Sequence, residues 1–183
     1  MRLPLLAVCA LLLAAGPARA AAATWTGGAS GDWNVAANWS PAAVPGALDA
    51  VTIPSGTVVA YSTDPALGVA SLTLGEAGVT PAAVLQLSTG LAVGGSLLLR
   101  DGAALQVSTA AGVSAVDITL LRGTSVAFTV DPVSAAAAPF LRFYASGSFT
   151  LAGGSTITAR GRGYAGGALS SAGAGAGGGG AGS

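Results

Sequence analysis

The chain has 183 residues, enough for one domain and a tail, and 52% of them are hydrophobic while only 8% are charged. It contains no histidine, and its seven basic residues, all arginines, are scattered along the chain, so it lacks a basic patch for nucleic acid. It also lacks the Ser–His and Cys–His pairs of nucleophilic enzymes and the usual ligands of soft metal ions. We therefore expect a non-enzymatic protein without cofactor, metal or nucleic-acid partner.

Residues 1–20 predict a secretory signal peptide. Arg2 supplies the positive start, residues 3–15 form the apolar segment, and an A-x-A cleavage motif ends at Ala20. The apolar segment is shorter than the roughly 20 residues that a membrane-spanning helix needs. We expect an exported protein, at the cell surface, outside the cell or in the periplasm, with no membrane span once the leader is removed. Cys9 leaves with the leader, so the mature chain has no disulfide available.

Residues 21–55 contain all three tryptophans, each close to tight-turn residues, and predict an N-terminal cap. A β-solenoid exposes apolar core and strand edges at its ends, and an indole covers a large apolar area. The alternative function for this segment is carbohydrate binding, with sugar rings stacking on exposed aromatic faces. The candidate sugar-binding residues are Trp25, Trp33, Trp39 and Tyr61.

Residues 56–160 form a series of short alternating apolar runs, such as Leu72-Thr73-Leu74 and Leu85-Gln86-Leu87, separated by glycine-containing turns. Alternation with period two is typical of strands with one buried face, and no segment shows a sustained helical period. The turns are very short between residues 91 and 107 and again between 148 and 159. This pattern predicts an all-β fold, with stacked β-solenoid coils favoured over a β-sandwich.

Residues 161–183 consist almost entirely of glycine, alanine and serine. Such a composition cannot bury enough apolar surface to offset the entropy of ordering, so we expect a disordered tail.

The pieces W-T-G-G, G-D-W-N, N-W-S and P-G-A-L-D-A-V-T-I follow one another between residues 25 and 53. In this order they resemble the opening of large bacterial exported surface proteins, namely autotransporter passengers and adhesin-like proteins. The resemblance implies a right-handed parallel β-helix with a structural or adhesive role and no catalytic residues. Those proteins are usually far longer, so we expect this chain to be a truncated N-terminal part, with surface glycans or other envelope components as partners.

The acidic residues suggest a weaker alternative for the function, in which the chain is a fragment of a β-helix polysaccharide lyase or hydrolase. Glycoside hydrolysis needs two carboxylates at close range, and Ca²⁺ prefers carboxylate oxygens. Stacked coils could bring Asp101, Asp117 and Asp131 together. Most acidic residues stand beside glycine or proline, however, which is typical of turn caps, so we expect no metal site.

The leader generates a first prediction. Expressed in a bacterium with residues 1–20 present, the protein should be recovered outside the cytoplasm, beginning at Ala21 or up to three residues later, because export removes the leader. Intact-mass measurement after cell fractionation checks this expectation. Exported protein that still carries Met1 would contradict it.

Overall fold

The computed structural model describes residues 20–63, 65–108, 111–129 and 141–159. The predicted tail and nearly all of the predicted leader lie outside these residues, as do Asp64 and Asp131. The described part is all-β, with one 3-10 turn at Ala36–Asn38. Its strands are β1 (Ala22–Trp25), β2 (Ser30–Asp32), β3 (Trp39–Ser40), β4 (Ala50–Ile53), β5 (Val58–Tyr61), β6 (Leu67–Val69), β7 (Ser71–Leu74), β8 (Val84–Leu87), β9 (Leu91–Val93), β10 (Ser96–Leu99), β11 (Ala104–Val107), β12 (Ala111–Ala115), β13 (Asp117–Leu120), β14 (Ser125–Phe128), β15 (Leu141–Ala145), β16 (Phe149–Leu151) and β17 (Thr156–Thr158).

The strands form three sheets, and three successive strands of the chain belong to three different sheets. The first sheet has the order β16-β13-β10-β7-β4-β1-β3, the second β17-β14-β11-β8-β5-β2 and the third β15-β12-β9-β6. From β4 onward each strand is therefore parallel to the strand three places later, and three successive strands make one cycle. Parallel neighbours need a crossover between them, and here the other two sheets supply it.

The predicted all-β fold is confirmed, and its sheets are parallel. A β-sandwich, the alternative from sequence, is typically built from antiparallel sheets. In the described part of the chain only β1 and β3 pair antiparallel, with Trp25 opposite Trp39.

The alternating residues place their bulky side chains on the inner face of every sheet. The burial pattern of β5, β7, β11, β13 and β14 is half-buried, buried, half-buried, buried. The parallel register puts inward residues of one cycle directly on those of the next, at the strand spacing of about 4.8 Å. The inward columns so formed are Val51–Leu72–Leu97–Ile118–Phe149, Ile53–Leu74–Leu99–Leu120–Leu151, Val59–Leu85–Leu105–Val126–Ile157 and Tyr61–Leu87–Val107–Phe128.

The corner between the first and second sheets has the same backbone conformation in several cycles. At this corner Gly102 and Gly123 have φ of 78° and 73°. This left-handed region favours glycine because a Cβ would clash with the backbone. Four residues separate the strands at both of these corners, so the chain leaves one sheet and enters the next without an extended loop.

The outer faces carry small or polar side chains instead of a second apolar layer. Parallel sheets are usually covered on both faces and read as continuous apolar runs. Here the outer positions are mostly Ser, Thr, Ala and Gln, which accounts for the alternation seen in the sequence. Within the described residues, no helix has the length and apolar character needed to cross a membrane.

Two adjacent leucines of β10 give a matched test of this architecture. Leu99 is fully buried in an inward column, whereas Leu98 points outward and is only half-buried. Leu99→Ala should lower the free energy of unfolding by about 2–5 kcal/mol, the range for large core deletions. Leu98→Ala should lower it by about 1 kcal/mol or less. Urea unfolding measures both, and equal losses would contradict the assigned faces of β10.

Candidate functional site

The four predicted sugar-binding residues come together at the first end of the stack. Trp25 on β1 lies against Trp39 on β3, with ring centroids 5.2 Å apart and planes at 87°. Trp33, which follows β2, packs on Trp39 at 4.6 Å and on Tyr61 of β5 at 6.1 Å. These edge-to-face contacts are favourable for aromatic rings and add to the area that they bury.

Hydrogen bonds fix the orientation of three of the rings. Trp39 Nε1 donates to the carbonyl oxygen of Trp33 over 2.7 Å, and Trp25 Nε1 donates to that of Gly28 over 3.0 Å. The Tyr61 hydroxyl donates to the Pro65 carbonyl oxygen over 3.1 Å. Trp33 Nε1 is buried and has no hydrogen-bond partner, so packing alone holds the orientation of this ring.

The short motifs around the tryptophans supply the small residues and the asparagine that allow this packing. A Cβ at Gly27 would lie 2.5 Å from Asn38 Cγ, and a Cβ at Gly31 would lie 3.1 Å from the Trp25 ring. The Asn38 side chain fills the space so left and donates to the Asp32 carbonyl oxygen over 3.0 Å. The G-G, G-D-W-N and N-W pieces are therefore parts of one local structure.

Burial bears directly on the sugar-stacking interpretation. Trp25, Trp33 and Trp39 are 2%, 0% and 2% exposed, and Tyr61 is 8% exposed. A sugar ring stacks on an open aromatic face, and this conformation offers none at these residues. β3, which carries Trp39, is the outermost strand of the first sheet, and the capping role of residues 21–55 stays a prediction.

Two acidic side chains, Asp101 and Asp117, accept hydrogen bonds from turns in the neighbouring cycle. Asp101 accepts a hydrogen bond from Gly78 N over 2.8 Å. Asp117 accepts from the hydroxyl and the N–H of Ser148, over 2.6 and 2.8 Å. These two bonds lower the pKa of Asp117, so its contribution to stability is present above the ordinary carboxyl pKa and is lost as the pH falls through the lowered value.

The expected approach of Asp101, Asp117 and Asp131 is only partly visible, since Asp131 lies outside the described residues. Among those described, no three acidic, cysteine or histidine side chains are close enough together to hold a metal ion. Asp101 and Asp117 each act at a separate turn.

The outer face of the first sheet carries a feature that the sequence analysis missed. The register aligns one outward residue from each of six strands, and five of the six are threonines. We call this column the threonine ladder; in order, it comprises Thr24, Thr52, Thr73, Leu98, Thr119 and Thr150. In the described part of the chain the five threonine hydroxyls make no hydrogen bond, and all are exposed or half-buried.

The surroundings of the threonine ladder combine small outward side chains with a few charged ones, among them Asp117 on β13. Small outward residues flank it on the same strands, among them Ala50, Ser71 and Ser96. An open groove of about 340 Å³ borders Thr52 and Thr73 and is also lined by Glu76 and Arg100. Because β-branched side chains have few rotamers, the ladder holds hydroxyl and methyl groups in a fixed array with the strand spacing.

A second groove, of about 230 Å³, lies at the end of the second sheet. Gln86 Nε2 donates to Gln106 Oε1 over 3.0 Å, and Ser108 donates to the Ser88 hydroxyl over 3.2 Å. Here the hydroxyls and amides satisfy one another, in contrast to the free hydroxyls of the threonine ladder. Tyr61 lines this groove, so among the predicted sugar-binding residues it reaches an open surface at its edge.

The sequence contained a signal for the threonine ladder. Threonine is the middle residue of V-T-I, L-T-L, I-T-L and F-T-L, four of the runs that predicted strands. Recognising a ladder also requires the register between these runs. They are 21 residues apart between Thr52 and Thr73 but 31 apart between Thr119 and Thr150, so no fixed repeat length reveals it.

The aromatic cluster supplies a matched pair of substitutions. Trp33→Phe and Trp39→Phe remove the same atoms from buried sites, but only Trp39→Phe removes a hydrogen bond and leaves a buried carbonyl oxygen unpaired. We expect Trp39→Phe to be the more destabilising by about 1 kcal/mol. Urea unfolding followed by circular dichroism measures the difference.

Fluorescence of the native protein checks the burial of the tryptophans on which that comparison relies. The native protein should emit at short wavelength and resist acrylamide quenching, since all three indoles are buried. Long-wavelength, readily quenched emission would restore the sugar-stacking interpretation.

No protein-family model, curated protein or solved structure matches this chain. Its role must therefore be inferred from its own residues and their arrangement.

Proposed function

We propose that this chain is the N-terminal part of an exported bacterial surface protein, folds as a right-handed parallel β-helix, and has a structural or adhesive role without catalysis. The observation that carries the proposal is the parallel pairing of every strand from β4 onward with the strand three places later. Inward apolar columns run unbroken through these cycles, as they do in a β-helix.

The handedness follows from a general rule on chain connections. A strand, a crossover and a second parallel strand in the same sheet form a right-handed turn in about 98% of cases. Each cycle here is such a crossover, since the chain passes through two other sheets before it returns. A right-handed coil is therefore the expected outcome.

The structural role is supported by how the polar residues are used. Asp101 and Asp117 hold turns of adjacent cycles together, which favours this role over a fragment of a lyase or hydrolase. Each additional cycle lengthens the stack by one strand spacing, so a β-helix acts as a stiff spacer that presents its outer faces. The predicted leader and the resemblance of residues 25–53 to exported surface proteins support the location.

The threonine ladder favours adhesion to a neutral polysaccharide. Each hydroxyl can both donate and accept a hydrogen bond, as sugar hydroxyls do, and the methyl groups and Leu98 offer apolar contacts for the C–H faces of sugar rings. A ladder that repeats along the stack suits an extended repeating polymer. This assigns the carbohydrate-binding alternative to the first sheet and not to the buried tryptophans.

Removal of the hydroxyls tests this adhesive role. The variant Thr52→Val, Thr73→Val and Thr119→Val keeps side-chain shape and should keep the melting temperature nearly unchanged. Retention of the exported protein on insoluble cellulose or chitin should fall by at least about tenfold, since each lost hydrogen bond weakens binding. Pull-down with quantified bound fraction measures it.

The control carries Ser125→Ala and Thr156→Val on the second sheet and should bind like the wild type. Failure of the wild type to bind either polymer, or equal binding by the ladder variant, would remove the adhesive role for this face. The structural role would then be the one that stands.

A further inference from the structure

A carboxylate holds the beginning of the first strand. The backbone N–H of Ala21, the residue before β1, donates a hydrogen bond to Asp49 Oδ1 over 2.9 Å. The carbonyl oxygen of Ala21 accepts from the N–H of Ala50 over 2.8 Å, which continues the pairing of β1 with β4. Both backbone groups of Ala21 are therefore bound by Asp49 or by its neighbour.

The turn before β4 fixes the Asp49 side chain in place. Asp49 Oδ2 accepts a hydrogen bond from Gly46 N over 2.8 Å, and the N–H of Asp49 donates to the Gly46 carbonyl oxygen over 3.0 Å. The carbonyl oxygen of Asp49 accepts from Ala70 N, over 2.9 Å, in the next cycle. The P-G-A-L-D piece of the sequence thus presents one carboxylate oxygen, Oδ1, to the start of β1.

The elements around Asp49 supply no positive charge. In the described part of the chain, β1, β3, β4, β7 and residues 41–49 contain Asp49 as their sole charged or titratable side chain. Asp49 is half-buried, and an opposite charge nearby stabilises a carboxylate in such a position. A positive group at the start of β1 would therefore be favourable.

Removal of the predicted leader at its A-x-A motif creates a positive group at this place. Hydrolysis of the peptide bond between Ala20 and Ala21 consumes one water, leaves a carboxylate on Ala20 and leaves an α-amine on Ala21. The ordinary pKa of an α-amine is about 7.7–8.0, so at neutral pH this amine takes up a proton and becomes an ammonium group. The nitrogen atom that contacts Asp49 then carries a positive charge.

We propose that the leader is cut between Ala20 and Ala21 and that the new ammonium group of Ala21 forms an ion pair with the Asp49 carboxylate, which fastens β1 to the turn before β4. The inference rests on the proposed export, since the ammonium group exists only after the leader has been removed. The 2.9 Å between Ala21 N and Asp49 Oδ1 suits a charge-assisted hydrogen bond, for which about 2.7–2.9 Å is usual.

The strand pairing favours this cut over one a few residues later. Ala22 and Ala23 pair with residues of β4, and Ala23 is 4% exposed. Any later cut removes Ala21, and cuts after Ala22 or Ala23 also remove part of β1. Ala20 is exposed and lies before β1, so a cut on its carboxyl side leaves the strand whole.

Selective acetylation tests the ion pair. The chain contains no lysine, so the α-amine is the sole amine of the exported protein, and N-hydroxysuccinimidyl acetate converts it to a neutral amide that keeps one N–H. In the wild type, acetylation should lower the melting temperature by about 2–4 °C, as expected for the loss of one partly exposed ion pair. In Asp49→Asn, which keeps a hydrogen-bond acceptor without the charge, acetylation should change it by less than about 1 °C.

Asp101→Asn is the matched control. Asp101 also accepts a hydrogen bond from a turn N–H, over 2.8 Å, but it does so at Gly78, in another part of the stack. The melting temperature of this variant should respond to acetylation as that of the wild type does.

The rate of acetylation gives a second measure, which does not require the Asp49 variant to fold. Only the unprotonated amine reacts, and the ion pair holds the proton on the amine. Because salt screens the pair, the native wild-type protein at neutral pH should react at least about twofold faster in about 1 M salt than at low salt.

The site of the cut and the response to acetylation separate this inference from the export itself. Intact-mass measurement of exported protein that begins at Ala22, Ala23 or Thr24 would overturn the ion pair and leave export in place. A start at Ala21 with equal responses in the wild type and Asp49→Asn, or with a rate independent of salt, would do the same. Protein that keeps its leader and stays in the cytoplasm would contradict both the export and the ion pair.

Discussion

In-register stacking of inward aliphatic side chains is the interaction on which the rest of the structure depends. Leu72, Leu97 and Ile118 lie one above another in the first sheet, and equivalent columns occupy the second. Burying one such side chain stabilises the folded state by roughly 1.5–3 kcal/mol. With no cysteine in the predicted mature chain and few charges, this packing and the parallel hydrogen-bond ladders hold the fold together.

Every interior level of such a stack packs against a level on each side. Each end has a neighbour on one side only, so its apolar side chains need another cover. At the first end the aromatic cluster of Trp25, Trp33 and Trp39 replaces the missing cycle. It does so with large rings, an antiparallel strand and glycines that admit the Asn38 side chain. At the last described end Phe149, Leu151 and Ile157 have no such cover. The two ends of the described strands therefore differ in how far their last apolar side chains are buried.

The outer faces are free to vary because the core does not use them. They contain small hydroxyl and methyl groups in place of charges, which accords with a chain in which only 8% of residues are charged. Where a column of outward residues repeats the same side chain, as in the threonine ladder, the stacking converts a single residue type into a periodic surface.

The alternation of apolar residues determined by itself that the chain is all-β and which face of each run is buried. In L-T-L and L-Q-L the two leucines fall on one face of a strand and the polar residue on the other. The packing of Trp33 against Trp39 and Tyr61 and the alignment of the threonine ladder could not be deduced in this way. Both depend on which strands become neighbours, and that is set by turns whose lengths differ from cycle to cycle. Tertiary structure alone decided that Thr119 and Thr150, 31 residues apart, lie side by side, because hydrogen bonding between parallel strands fixes register through space and not along the chain.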